Sequence, residues 1–169
     1  GSSHLLPVNK DILIQFIQQM QTDEILLLFG VWSDDQLSYI NSLNLPKGKV
    51  QTYGYTKNRE ELAQLYTMAD AFANVTREDS LSLINIEAQA CGTPVVTFDQ
   101  TGPKETVDNI NSYYSPVGDA EQLYKKVELI RNMQDKTNSL KCKRFVENHF
   151  DLHDKYRLYI DLYIDVNKA

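Results

Sequence analysis

Apolar positions along this chain follow two alternating periods. From Lys10 to Gln21, residues Leu13, Ile14, Phe16, Ile17 and Met20 recur at helical spacing, which predicts an amphipathic helix. Glu24 to Phe29 is instead a short continuous apolar run closed by Gly30, the pattern of a buried parallel strand. Ser33-Asp34-Asp35 then caps a helix predicted to reach about Leu43, and Leu45-Pro46-Lys47-Gly48 breaks it. A strand at Val50 to Tyr53 is stopped by Gly54, and a helix from Asn58 to Met68 turns Leu62, Leu65 and Tyr66 inward. The same reading places strands at Ala71 to Val75, Pro94 to Phe98 and Tyr113 to Val117. It places helices at Ser82 to Cys91, Asp119 to Met133, Lys136 to Asn148 and Leu152 to Val166.

Strands and helices alternating at this spacing predict an α/β fold, a doubly wound parallel sheet flanked by helices, Rossmann-like in class. Ligands of such sheets bind outside the carboxyl ends of the strands. Gly30, Gly54, the Thr76–Ser80 loop and the Thr101–Glu105 loop all fall at those ends. Any one of these glycines alone is no more than a turn; the clustering is what points to a site.

The stretch Asn74 to Val96, NVTREDSLSLINIEAQACGTPVV, organises the chain. Its helix reads as apolar on nearly every face, with Leu83, Ile84, Ile86, Ala88 and Ala90, and so as buried. Glu87 then lies on its inner surface beside Leu83, Ile84 and Cys91. A carboxylate in apolar surroundings is costly unless something donates hydrogen bonds to it. Either Glu87 caps a neighbouring loop or reaches the edge of the core, or its partner is a ligand hydroxyl pair such as a ribose diol. Asp79 stands eight positions earlier, in the polar loop. Eight helical steps span roughly 12 Å, about the length of a sugar, a diphosphate and a ribose. Between the acids, Ser80, Leu81 and Ser82 open the helix, where free N–H groups and the positive dipole end suit a phosphate. An open cleft joining the two acids is therefore expected.

This segment resembles the signature of retaining GT-B glycosyltransferases of the family-4 type: an acid, seven residues, Glu, then Ala, a small residue, Gly, a residue, Pro and Val. The sequence shows Asp79, seven residues, Glu87-Ala88 and Cys91-Gly92-Thr93-Pro94-Val95-Val96. Thr76, Ala69-Asp70, Gly102 and Glu105 add to the match, which runs from about Glu24 onward. The resemblance implies one half of a GT-B fold and three roles. Asp79 would contact donor-sugar hydroxyls, main-chain N–H groups near Ser82 and Leu83 would hold the diphosphate, and Glu87 would bind the ribose. The pattern departs from the family in having Asp79 where Glu is usual, and Ser80 and Ser82 where glycines are common. Lys10 and Arg77 are cations within reach of a phosphate, or solvated side chains. The family's preceding strand and basic loop have no counterpart beyond His4 to Val8 and Asn9-Lys10. The expectation is therefore a donor-binding domain whose N-terminal, acceptor-binding partner domain is separate or excised.

Composition narrows this further. A chain of 169 residues suits one domain with a real core, residues 1–3 looking like a tag scar. Hydrophobic content of 42% and charged content of 24% are ordinary for a soluble globular protein. A net charge of −6 argues against nucleic acid as a partner. No apolar run approaches the roughly 20 residues of a membrane span. With Cys91 and Cys142 as its two cysteines, the chain fits a reducing cytosol, peripheral association of the full enzyme with the inner membrane face being one option. There is no Asp-x-Asp pair, so metal-independent transfer with no cofactor is expected, the nucleotide sugar being substrate. His149 and His153 lack the acid of a zinc-protease motif. Tyr156, Tyr159 and Tyr163, with Leu158, Leu162 and Val166, form a stripe expected to pack on the domain, the alternative from the family resemblance being a last helix that reaches across to the other domain and leaves part of the stripe exposed. Two rivals keep the fold: a nucleotide-sugar epimerase or phosphorolytic enzyme, and a non-catalytic binding or assembly module.

Overall fold

The structure, a computed structural model, describes residues 10–30, 33–43, 49–77, 79–133 and 137–166; the side chains of residues 10, 36, 159, 162, 163, 165 and 166 fall outside that description. So do Glu78, the expected break at Leu45 to Gly48, and the residues before Lys10. In chain order the elements are α1 Lys10–Gln19, β1 Leu26–Phe29, α2 Asp34–Ser42, β2 Val50–Tyr53, α3 Arg59–Met68, β3 Phe72–Ala73 and α4 Leu83–Ala90. They continue as β4 Val95–Phe98, a 3-10 turn at Lys104–Thr106, β5 Tyr113–Ser115, α5 Ala120–Arg131, α6 Asn138–Phe150 and α7 Leu152–Val166. Every predicted helix and strand is present; β2 and α7 keep the predicted bounds, α6 ends two residues later than predicted, and the others are shortened at their ends by a few residues. Capping sets two of the starts: the side chains of Asn58 and Asp119 accept from Glu61 N and Gln122 N at 2.8 and 2.9 Å.

All strand pairs are parallel, as the alternation requires. The sheet is divided, however, into a pair β1-β2 and a trio β3-β4-β5. Leu26 lies opposite Val50, Phe72 opposite Val95, and Val96 opposite Tyr113. Strand β4 is the axis of the fold, because all four of its residues are buried. Val96 and Phe98 face one core, with Ile12 and Phe16 of α1 and Leu123, Tyr124 and Ile130 of α5. Val95 faces the other, with Tyr66 of α3, Ala88 of α4 and Val107. Alternation along one strand thus feeds two helical layers. Phe29 joins the two parts of the sheet through ring contacts with Tyr66 at 5.6 Å and Phe72 at 6.1 Å.

Two expectations about burial fail. Leu26 to Phe29, an unbroken apolar run, is only half-buried at each position; among the described residues β1 has a backbone partner on one side alone. The α7 stripe does not pack as expected where its side chains are described: Tyr156 is 65% and Leu158 61% exposed. The chain turns at Asp151, whose carboxylate accepts from His153 N and Asp154 N and starts α7 in a new direction. Tyr159, Leu162, Tyr163 and Val166 lie outside the described side chains.

Candidate functional site

Strand β3 ends at Ala73, and the loop from Asn74 to Ser82 carries the first acid to the start of α4. Ser82 is the N-cap residue, with no hydrogen bond from its side chain to the helix. Leu83 N–H turns back to the Leu81 carbonyl at 2.9 Å, and Asn85 and Ile86 N–H to that of Ser82 at 3.1 and 3.4 Å. Among the described residues the amides of Ser80, Leu81, Ser82 and Ile84 meet no acceptor. This is the donor-rich helix start that an anion needs.

The helix itself is not the all-round apolar cylinder that the sequence suggested. Its buried face holds Asn85, Ala88 and Gln89, while Leu83 is 62% and Ile84 40% exposed. Glu87 is accordingly exposed, not sunk among apolar neighbours. The reason is that the amides of Asn85 and Gln89 find partners inside, so the polar stripe can be buried without penalty. Glu87 is not locked into the core; its Oε2 accepts one long bond, from Tyr66 Oη at 3.4 Å. Tyr66 is buried, and burial first, then the Glu87 charge, pushes its hydroxyl well above the ordinary value.

Asp79 is half-buried, and its backbone is held by a neighbouring loop. Gly102, at φ +89, lies so close that a Cβ built on it would be 2.2 Å from the Asp79 carbonyl oxygen. Only glycine lets the two backbones meet there. The expected 12 Å helical span between the acids is not one helix: only the part from Leu83 to Glu87 is helical. Arg77 is exposed and rests against the Gly118 turn, where an added Cβ would be 3.3 Å from its Nη2. Gly30 and Gly54 follow the last residues of β1 and β2 at the same end of the strands. Lys10 opens α1, and its side chain is outside the described residues. A cleft of about 680 Å³ lies under the next loop, lined by Gln100, Thr101, Lys104, Glu105, Asp108 and Tyr114 among others. Neither acid lines it. The expected cleft joining the two acids is thus not the one formed here: Asp79 is half-buried, Ser80, Leu81, Ile84 and Glu87 are exposed, and Ser82 is fully buried.

Sequence reasoning missed the polar side chains beneath this face. Asn74, Ser82, Asn85, Gln89 and Thr106 are all at most 3% exposed and hydrogen-bond to one another or to adjacent backbone. The signal was present in Asn85 and Gln89, four apart on one helix face.

Residues 5–149 match the family model described as glycosyl transferases group 1. The chain belongs to that family. As a group 1 glycosyltransferase chain it is 33% identical over 90 residues to the D-inositol 3-phosphate glycosyltransferase of Mycobacteroides abscessus, a match spanning 51% of this chain and 20% of that protein. It is 49% identical over 45 residues to the enzyme of the same name from Jonesia denitrificans, spanning 27% of this chain and 11% of that one. The matched segments are thus a fifth or less of these relatives' length. Among solved structures, TarM superposes with a TM-score of 0.77 at 19% identity, covering 95% of this chain and 34% of TarM. Anabaena Alr3699/HepE in complex with UDP gives 0.78 at 19% identity, covering 94% and 45%. The same protein has also been solved with UDP-glucose. These likenesses carry the fold: one Rossmann-like half of a GT-B glycosyltransferase.

Proposed function

We propose that this chain is the donor-binding half of a glycosyltransferase that moves a hexosyl group from a nucleotide-diphosphate sugar to a hydroxyl, with retention. One observation carries the reading: a helix start with four unmet amides, flanked by Asp79 before it and an exposed Glu87 on its second turn. Asp79 contacts donor-sugar hydroxyls. The amides of Ser80, Leu81 and Ile84 hold the diphosphate, those of Leu83 and Ser82 being bonded to the Leu81 carbonyl and fully buried respectively, with Arg77 as the nearest described cation on the same loop. Glu87, steadied by Tyr66, accepts from the ribose diol. Gly30 and Gly54 leave space for the nucleoside at the ends of their strands, since among the described residues no atom outside the adjoining ones lies within 4 Å of a Cβ built on either. Family membership and the UDP and UDP-glucose complexes of a similarly folded protein support this reading.

Chemically, the domain stabilises charge on the leaving diphosphate with fixed N–H dipoles and positions the anomeric carbon. No cofactor enters the scheme. The attacking hydroxyl, on a glycan, glycolipid or protein, is presented by a second domain. Alone, the chain binds nucleotide weakly and transfers nothing. Calorimetry with UDP, GDP and ADP tests this: heat from at least one, reduced about tenfold or more in affinity by Glu87→Ala, is expected. Folded protein giving no heat with any of the three would overturn it.

A further inference from the structure

The group of buried amides and hydroxyls under the acid loop is costly to build. Replacing such a network by apolar side chains of similar size is often neutral or stabilising. Its members also sit in one place, at the carboxyl ends of β3 and β4 and on the adjoining face of α4.

Asn74 is the centre. Its Oδ1 accepts from Thr76 N–H at 3.0 Å, and its Nδ2 donates to Ser82 Oγ at 2.8 Å and to Asn85 Oδ1 at 2.9 Å. Both amide hydrogens and one of the two carbonyl lone pairs are therefore used. Thr76 and Ser82 are the two ends of the loop that carries Arg77 and Asp79. A single side chain thus closes that loop from below. Asn85 passes the connection on, donating from Nδ2 to Thr106 Oγ1 at 2.9 Å. Thr106 Oγ1 in turn donates to the Pro103 carbonyl at 2.6 Å. Gln89 Nε2 seals the far end, donating to the Asn85 and Thr106 carbonyls at 3.1 and 2.7 Å. The chain of bonds ends one residue from Gly102, whose backbone lies against Asp79 and Ser80.

We infer that Asn74 and Asn85 are positioning residues of this face: through Thr76, Ser82 and Thr106 they fix the acid loop and the Gly102 loop against each other, and so set where Asp79 and the bare amides stand. The consequence for donor binding rests on the function proposed above; the clamp on the two loops does not. Nothing in the network touches the ligand face directly. Its effect is transmitted by the loop ends.

The test uses hydrogen exchange read by mass spectrometry on the full 169-residue chain, together with UDP, GDP and ADP calorimetry. Variants are Asn74→Leu, Asn85→Leu, Thr106→Val and Thr106→Ser. Thr106→Val removes one hydroxyl at constant shape, so it remains informative if the leucine variants fail to fold. In the folded variants, the hydrogen-bonded amides of the two loops, those of Thr76, Lys104 and Glu105, should exchange on the order of tenfold faster. Those of β4 and α5 should keep their protection. Nucleotide affinity should fall about tenfold, and Thr106→Ser should restore both readings. Unchanged exchange in the two loops of folded Thr106→Val, or an equal rise across the whole domain, would overturn the inference. If the loops loosen as expected but the unmodified chain binds none of the three nucleotides, the clamp stands and the donor reading falls.

Discussion

Replacing Gly102 by alanine is the sharpest perturbation the structure offers. Two separate costs arise there. At φ +89 an L-residue is strained, by about 1–2 kcal/mol. The added Cβ also meets the Asp79 carbonyl oxygen at 2.2 Å and the Ser80 carbonyl group at 2.8 Å. Both neighbours are backbone, so no rotamer change relieves the overlap. One of the two loops must retreat by about 1.2 Å to regain ordinary contact. Overpacking of this kind costs a further 1–3 kcal/mol or so. Together, about 2–5 kcal/mol should be lost, a large share of a typical domain's stability. In urea this corresponds to a midpoint lower by about 1–2 M. Gly54→Ala is the control: Gly54 has no positive φ, and among the described residues a Cβ there meets no atom within 4 Å beyond the adjoining ones. Its midpoint should stay or rise slightly. Calorimetry on Gly102→Ala should show nucleotide affinity reduced tenfold or more, since displacement of the acid loop misplaces the groups that meet the ligand. Equal midpoints for Gly102→Ala and Gly54→Ala would refute the close approach on which this reasoning depends.

Other outcomes follow from the same structure. Glu87→Ala should weaken nucleotide binding while leaving the unfolding free energy from urea titration within about 0.5 kcal/mol, because the side chain is exposed. Asp108 titrates below the ordinary carboxylate range: burial would raise it, but backbone N–H bonds from Ile110, Asn111 and Ser112 and the Asn111 side chain outweigh that. The folded form therefore binds the proton less readily, and its stabilisation is present above about pH 4 and lost as pH falls further. Asp108→Ala should lower the midpoint at neutral pH and flatten its decline in acid, as urea titrations at several pH values would record. Cys142 is fully buried, and burial pushes its thiol up to about 11. It should resist alkylation by iodoacetamide at pH 8 until the chain unfolds, which peptide mass mapping detects.

Most of the element order was legible because each segment's period and punctuation agreed. The run Glu24 to Phe29 and the Gly-Thr-Pro turn before β4 are examples. What was not legible was which face of a short helix points inward. Leu83 and Ile84 look like core from the sequence, yet Asn85 and Gln89 take the interior, because hydrogen bonds across to Asn74 and Thr106 make amides acceptable there. Those partners lie eleven to twenty-one positions away, beyond any local pattern. The acids were found from their spacing, but the Gly102 contact that holds Asp79 depends on two loops from different strands meeting in space. The division of the sheet was likewise invisible, since strand propensity says nothing about which neighbours pair.

That division has a mechanical meaning. Among the described residues no main-chain hydrogen bond joins β1 to β3; side chains make the join instead, the rings of Phe29, Tyr66 and Phe72 together with Tyr124 and Arg131 of α5, which hold Glu24 and Asp23 just before β1. Rings can slide where a ladder would tear. Gly30 and Gly54 ride on one plate and both acids on the other, so a molecule touching all of them acts as a bolt between two plates, stiffening a seam that the polypeptide leaves greased.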